Sequence, residues 1–318
     1  MIKKNTKTHH KLHPRNKHQG RYDFDGLVEK VPSLEAHLIS NRQGESSIDF
    51  SNTESVKLLN TALLSSHYGI NYWDIPANYL TPAIPGRAEY IHYMADWLRT
   101  SNFGRIPNGK KIMCLDIGVG ANLIYPIIGI CEYNWRFIGS DIDTVSLQSA
   151  ERIIDFNESL REKVDLRLQK DPSKILSGII NKEECIDLSV CNPPFHDSAG
   201  SAQQAANRKV GNLTGKRTKK APLNFSGQPN ELWCKGGERG FIRNYISESK
   251  TFGSQCFWFS TLVSKKSNIP GIHTELEKAR ASKQQIIPLG IGNKSSHIVT
   301  WTFLSREEQN EWRKRWES

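Results

Sequence analysis

From residue 111 to residue 304 the chain alternates short apolar, strand-like runs with segments of helical period: "IMCLDIG", "NLIYPIIGICEY", "RFIGSDI", "TVSLQSAERIIDFN", "VDLRL", "IDLSVCNPP", "GFIRNYISESK", "QCFWFSTLV", "GIHTELEKARAS", "QQIIPLG" and "HIVTWTFL". Strands separated by helices pair in parallel, because only a crossover of that length returns the chain to the same end of the sheet. The pattern predicts an α/β fold, a Rossmann-like doubly wound sheet, over residues 109–318. Before it, "LVEKVPSLEAHLI", "SVKLLNTALLSSHYG" and "AEYIHYMADWLRT" have helical spacing, while the Pro-rich connector "IPANYLTPAIPGR" is extended. Residues 25–108 therefore read as a helical N-terminal subdomain, and residues 1–24 as a basic, flexible N-terminal arm. Residues 199–235 interrupt the alternation with Gln, Asn, Gly, Ser and Lys, and read as a long basic insertion.

Charge marks the same two polar stretches. The 318 residues carry 43 Lys and Arg against 33 Asp and Glu, a net charge of +10. Six of the cations lie in residues 1–20, and Arg208, Lys209, Lys216, Arg217, Lys219 and Lys220 lie in 199–230, with no acid in either stretch. The remaining 31 basic and 33 acidic residues leave the body at −2. One such run is ordinarily a solvated tail. Two on a slightly acidic body favour a polyanion, since Lys and Arg gain affinity by releasing phosphate counterions.

No apolar run approaches the ~18 residues needed to span a bilayer, and no apolar segment follows the basic start as in a secretory signal. The six cysteines form no C-x-x-C pair and have no His at zinc spacing, which suits free thiols in a reducing cytosol and no metal. These features lead to the expectation of a cytoplasmic, monomeric protein with a nucleic-acid partner and no membrane contact.

Three strand ends carry the candidate chemistry. The first run ends in "LDIGVGAN", where Gly118 and Gly120 permit a tight turn and close approach of a ligand. This is not the dinucleotide fingerprint, because position 123 is Leu rather than the third glycine. The second ends in "FIGSDID": Asp141, about twenty residues past the glycines, suits the two hydroxyls of a ribose, and Asp143 and Thr144 suit the start of the next helix. The fourth ends in "CNPPF". Two prolines donate no ladder hydrogen bonds, so this is a stiff loop at a strand end. Asn192 offers an amide oxygen to an exocyclic amine, and Phe195 offers a stacking face. In a doubly wound sheet ligands sit beyond the carboxyl ends of the strands, so the three sites are expected to converge on one crevice.

In this order and spacing, "LDIGVGAN", "SDID" and "NPPF" resemble class I S-adenosylmethionine-dependent methyltransferases that modify amino groups, either adenine N6 or the glutamine amide. "HPRNKHQGRYDFDGL", "IPGRAEYIHYMADWL" and "NELWCKGGERGFI" extend the resemblance across nearly the whole chain to the bacterial 23S ribosomal RNA adenine-N6 methyltransferases (the RlmF, or YbiN, family). Distant eukaryotic relatives of that family act on adenine in small nuclear and messenger RNA.

The resemblance implies that Asp116, Gly118 and Gly120 cradle S-adenosylmethionine, that Asp141 holds its ribose and that Arg87 of "PGRAEY" faces its carboxylate. It also implies that Asn192 and the carbonyl of Pro193 take the two hydrogens of adenine N6, within the loop Asn192, Pro193, Pro194, Phe195, with Phe195 stacking on the base. The "CKGGERGF" segment would start the helix beside the pocket. The implied partner is 23S ribosomal RNA or a large-subunit assembly particle. Three other readings share the motif: methylation of a protein glutamine, a non-catalytic RNA-binding protein on a methyltransferase scaffold, and a DNA adenine methyltransferase, from which only substrate choice separates the RNA reading. His92, His196 and Asp197 are read as ordinary polar residues rather than as a base, because an orienting pocket needs no strong base.

Overall fold

The computed structural model describes residues 12–41, 43–198, 200–201, 232–291 and 294–317. The N-terminal part opens with α1 (Phe24–Lys30), capped by the Asp23 side chain, which accepts from the Gly26 amide. A short antiparallel hairpin of β1 (Leu38–Ser40) and β2 (Ser46–Ile48) follows, so the stretch expected to be helical also contains paired strands. α2 (Thr53–Tyr68) starts at Asn52, whose side chain accepts from the amides of Glu54 and Ser55, and it stops at Gly69 in the left-handed region. An extended, Pro-rich connector leads to α3 (Ile84–Ser101), whose first turn holds Pro85.

The α/β part runs β3 (Met113–Ile117), α4 (Ile124–Tyr133), β4 (Arg136–Asp141), α5 (Thr144–Asp155), β5 (Val164–Leu168), β6 (Ile186–Cys191), α6 (Gly237–Ser249), β7 (Cys256–Val263), α7 (Ile269–Ala279), β8 (Lys283–Ile291), β9 (Lys294–Thr302) and α8 (Arg306–Glu317). The strands form one seven-stranded sheet in the order β5-β4-β3-β6-β7-β9-β8. The first five pair in parallel, as the alternation predicts. β9 is antiparallel to both β7 and β8. The link between β8 and β9 is far too short for a crossover, which forces a hairpin there.

β3 lies centrally, with the chain winding one way to β4 and β5 and the other way to β6 and β7. The edge between β3 and β6 is therefore the topological switch point, where a crevice opens beyond the strand ends. One sheet face is covered by the N-terminal helices: Leu63, Ile91 and Leu98 share a continuous buried cluster with Ile128, Phe137 and Trp258. Leu115 of β3 belongs to a second buried cluster with Ile186, Ile242, Tyr245, Ile272 and Trp301, beneath α6 and α7. Each fully buried large apolar side chain in these layers contributes about 1.5–3 kcal/mol, so the N-terminal helices and the sheet stabilise one another.

Residues 12–23, expected to belong to a flexible arm, are docked instead. The His13 amide and Asn16 Nδ2 both donate to Glu89 Oε1 at 2.7 Å, and Asn16 Nδ2 also reaches the Pro85 carbonyl at 3.0 Å. Arg15 pairs with Asp96 at 3.0 Å and donates to the Tyr133 hydroxyl at 2.9 Å, while Lys17 pairs with Glu132 at 2.7 Å. The segment has few apolar residues, but its donors match acceptors on α3 and α4, and a buried carboxylate such as Glu89 needs such donors.

Candidate active site

Register brings the three strand ends side by side. Ile117 at the end of β3 pairs with Ser140 of β4 on one side and Cys191 of β6 on the other, so Gly118, Asp141 and Asn192 follow in a row. Gly118 and Gly120 have φ of 74° and 65°, a region that favours glycine. A side chain at Gly118 would meet nothing within 4 Å, so conformation rather than crowding calls for glycine there, and the space beside the turn is open. The amides of Gly118 and Val119 both donate to the Ser140 carbonyl at 2.9 Å, which ties the turn to β4.

Asp141 is fixed by two backbone donors: the Gly120 amide on Oδ2 and the Asp143 amide on Oδ1, each at 2.9 Å. Burial pushes its carboxyl above the ordinary range, and the amides of Asp143 and Gly120 pull it back. Each oxygen keeps acceptor capacity for a further donor. Asp143 caps α5, accepting from the amides of Val145 and Ser146, and it also accepts from the Tyr79 hydroxyl at 2.7 Å. The capping expected at Asp143 and the spare acceptor capacity expected at Asp141 thus coexist.

Asp116 is buried on β3, and neither carboxylate oxygen has a hydrogen-bond partner among the described residues. Burial pushes its carboxyl well above the ordinary value, Asp141 adds repulsion, and the Arg87 charge opposes both. Arg87 arrives from the first turn of α3, its guanidinium 5.6 Å above the Tyr125 ring on α4. The loop after β6 is held at both ends. Before it, the Cys191 amide donates to the Tyr90 hydroxyl at 3.3 Å, and that hydroxyl pairs with Ser260 Oγ at 2.8 Å. After it, the His196 amide donates to the Leu232 carbonyl and the Cys234 amide to the His196 carbonyl, both at 3.1 Å.

Between those clamps Pro193 is buried and Pro194 and Phe195 are half-buried. The Asn192 amide oxygen is buried without a partner among the described residues. α6 starts beside the loop, where a side chain at Gly237 would come within 3.3 Å of the Asp197 amide.

His92 packs against α4 instead, its Nδ1 2.6 Å from the Tyr133 hydroxyl, and burial lowers its pKa to about 3. Tyr90, Tyr125 and the buried Glu238 were not singled out from sequence. Tyr90 lies three positions past Arg87 in "PGRAEY", which puts both within one helical turn of α3, but nothing local pairs Tyr125 with Arg87. The cations Arg208, Lys209, Lys216, Arg217, Lys219 and Lys220 lie outside the described residues.

The crevice therefore gathers acceptor oxygens from Asp116, Asp141 and Asn192 and one guanidinium around an open glycine turn. This set fits a ligand that carries hydroxyl or amino donors together with a carboxylate.

A family model described as RNA methyltransferase matches residues 6–305. A ribosomal RNA large subunit methyltransferase F of Cytophaga hutchinsonii is 50% identical over 316 residues, covering 98% of each chain. The protein of the same name from Serratia proteamaculans is 48% identical over 302 residues, covering 95% of this chain and 90% of its own. The hMettl16 catalytic domain, solved in complex with MAT2A 3′UTR hairpin 1, superposes with a TM-score of 0.77 at 25% identity, covering 93% of this chain and 97% of its own. The N-terminal domain of human METTL16 in complex with SAH gives a TM-score of 0.71 at 24% identity, covering 92% and 99%. The seven-stranded sheet and these neighbours make this a class I S-adenosylmethionine-dependent methyltransferase fold. With the family model matched over most of the sequence and relatives at about half identity over nine tenths or more of their length, the chain belongs to the RNA methyltransferase family.

Proposed function

We propose that this protein transfers a methyl group from S-adenosylmethionine to N6 of an adenine in 23S ribosomal RNA. The observation that carries the reading is the buried amide oxygen of Asn192, without a partner among the described residues, at the end of β6 and in line with the glycine turn and Asp141. Asp116, Gly118 and Gly120 cradle the donor, Asp141 accepts from its ribose hydroxyls and Arg87 faces its carboxylate. When bound, S-adenosylmethionine supplies an electrophilic methyl group on a sulfonium.

Adenine N6 is a poor nucleophile because its lone pair is delocalised into the ring. Asn192 Oδ1 and the Pro193 carbonyl accept the two N6 hydrogens, which favours a more tetrahedral nitrogen with its lone pair exposed. Phe195 stacks on the ring, worth about 1–3 kcal/mol, and offsets part of the cost of unstacking the base from RNA. The stiff Pro193–Pro194 backbone holds these groups in place, so catalysis rests on orientation and fixed dipoles rather than on a strong base.

The test is methyl transfer from radiolabelled S-adenosylmethionine into unmodified 23S ribosomal RNA, with a protein extract and DNA in parallel. Label recovered as N6-methyladenosine from 23S RNA is the expected result. Label in protein alone would overturn the RNA assignment and move the Asn192 loop to glutamine chemistry.

A further inference from the structure

Five exposed cations lie on the elements that follow the Asn192 loop, distinct in sequence from the basic run at 199–230. Lys235 precedes α6, Arg239 and Arg243 lie one turn apart on it, and Lys265 and Lys266 follow the end of β7. Some cations elsewhere on the body are paired with acids, among them Arg15 with Asp96, Lys57 with Asp74, Arg167 with Glu184, Lys278 with Glu275 and Lys314 with Glu311. None of these five forms an ion pair among the described residues.

Their one acidic neighbour within α6's first turn is already committed. Glu238 is 2% exposed and accepts from the Ser264 amide at 2.6 Å, the Lys265 amide at 3.3 Å and Asn268 Nδ2 at 2.6 Å. That carboxylate pins the Lys265–Lys266 loop to the start of α6 and so draws the two groups of cations together. Arg239 also reaches over the first turn of α7: a side chain built at Gly271 would lie 3.5 Å from its Nε. A cation at a helix N-terminus opposes the helix dipole, so helix electrostatics do not account for its place. The start of α6 borders the loop directly: a side chain built at Gly237 would lie 3.3 Å from the Asp197 amide.

We propose that Lys235, Arg239, Arg243, Lys265 and Lys266 form a phosphate-binding rim that seats the RNA backbone beside the base entering the Asn192 loop. This rests on the RNA reading above and names the surface that holds the substrate. The rim gains affinity by counterion release and sets the strand's path, while carrying no sequence information itself.

The experiment measures binding of in vitro transcribed 23S ribosomal RNA across a salt series, using the full chain and Lys265→Ala/Lys266→Ala. For the double variant the slope of log affinity against log salt should flatten by about 1.4–1.8, and affinity at low salt should fall about tenfold, with binding of S-adenosylmethionine unchanged. Lys265→Arg/Lys266→Arg should keep the slope, and Lys278→Ala/Lys314→Ala, which removes the same charge elsewhere, should leave it unaltered. A wild-type slope in Lys265→Ala/Lys266→Ala would overturn the rim while leaving the RNA reading intact. A wild-type chain that binds S-adenosylmethionine but no RNA at any salt would overturn both.

Discussion

Asp116 and Asn192 each hold a buried oxygen with no partner among the described residues, and such groups cost stability. Asp116 is the more costly, since burial and the nearby Asp141 both oppose its charge. Asp116→Asn should therefore raise stability at pH 7 by about 1–2 kcal/mol in denaturant unfolding, while weakening binding of S-adenosylmethionine. A variant that loses both stability and binding would assign Asp116 a structural role instead. Asn192→Ala should lower kcat by about 10²–10³-fold while S-adenosylmethionine still binds, as removal of one preorganised dipole does elsewhere. Unchanged turnover would refute the assignment of Asn192.

Elements are locked to one another by buried carboxylates. Asp187, at the start of β6, accepts from Trp312 Nε1 and Trp316 Nε1 of α8, each at 2.7 Å, and from the Met113 amide of β3 at 2.8 Å. Three donors from two elements converge on one side chain, so Asp187→Ala strands all of them. The expected loss is about 3–5 kcal/mol in denaturant unfolding, with earlier exchange of the Met113 amide than in the wild type. A loss below about 1 kcal/mol would mean that apolar packing of Trp312 against Phe257 carries the attachment of α8.

For the whole molecule, docking of residues 12–23 couples folding to pH. Burial, reinforced by His67, lowers the pKa of His18 to about 4, and burial lowers that of His92 to about 3. Both values lie below the ordinary 6.5, so the unfolded chain binds the extra protons between about pH 4 and 6.5. The stability from neutral burial is present above pH 6.5 and is lost as pH falls toward the folded values. Denaturant unfolding should show about 3 kcal/mol less stability at pH 5 than at pH 7, and His92→Phe should remove about half of that difference. Asp116, with its carboxyl pushed up, acts in the opposite direction, so the comparison is cleanest in an Asp116→Asn background.

Periodicity and spacing are local, and they were legible: the order of strands and helices, the glycine turn, Asp141 at its strand end and the stiff loop from Asn192 to Phe195 all follow from near neighbours in the chain. What local pattern cannot carry is contact between distant segments. The register that sets Gly118, Asp141 and Asn192 in a row, the arrival of Arg87 from α3 and the insertion of β9 beside β7 are decided by packing. Charge shows the difference most directly. Counting placed Arg15 and Lys17 among the excess cations, yet folding pairs both with acids far away in sequence. The same folding leaves Lys265 and Lys266 without an ion pair among the described residues, because the Glu238 carboxylate beside them is buried and already occupied by three donors. Composition sets how many charges a protein has, but only its tertiary structure decides which of them stay available to a partner.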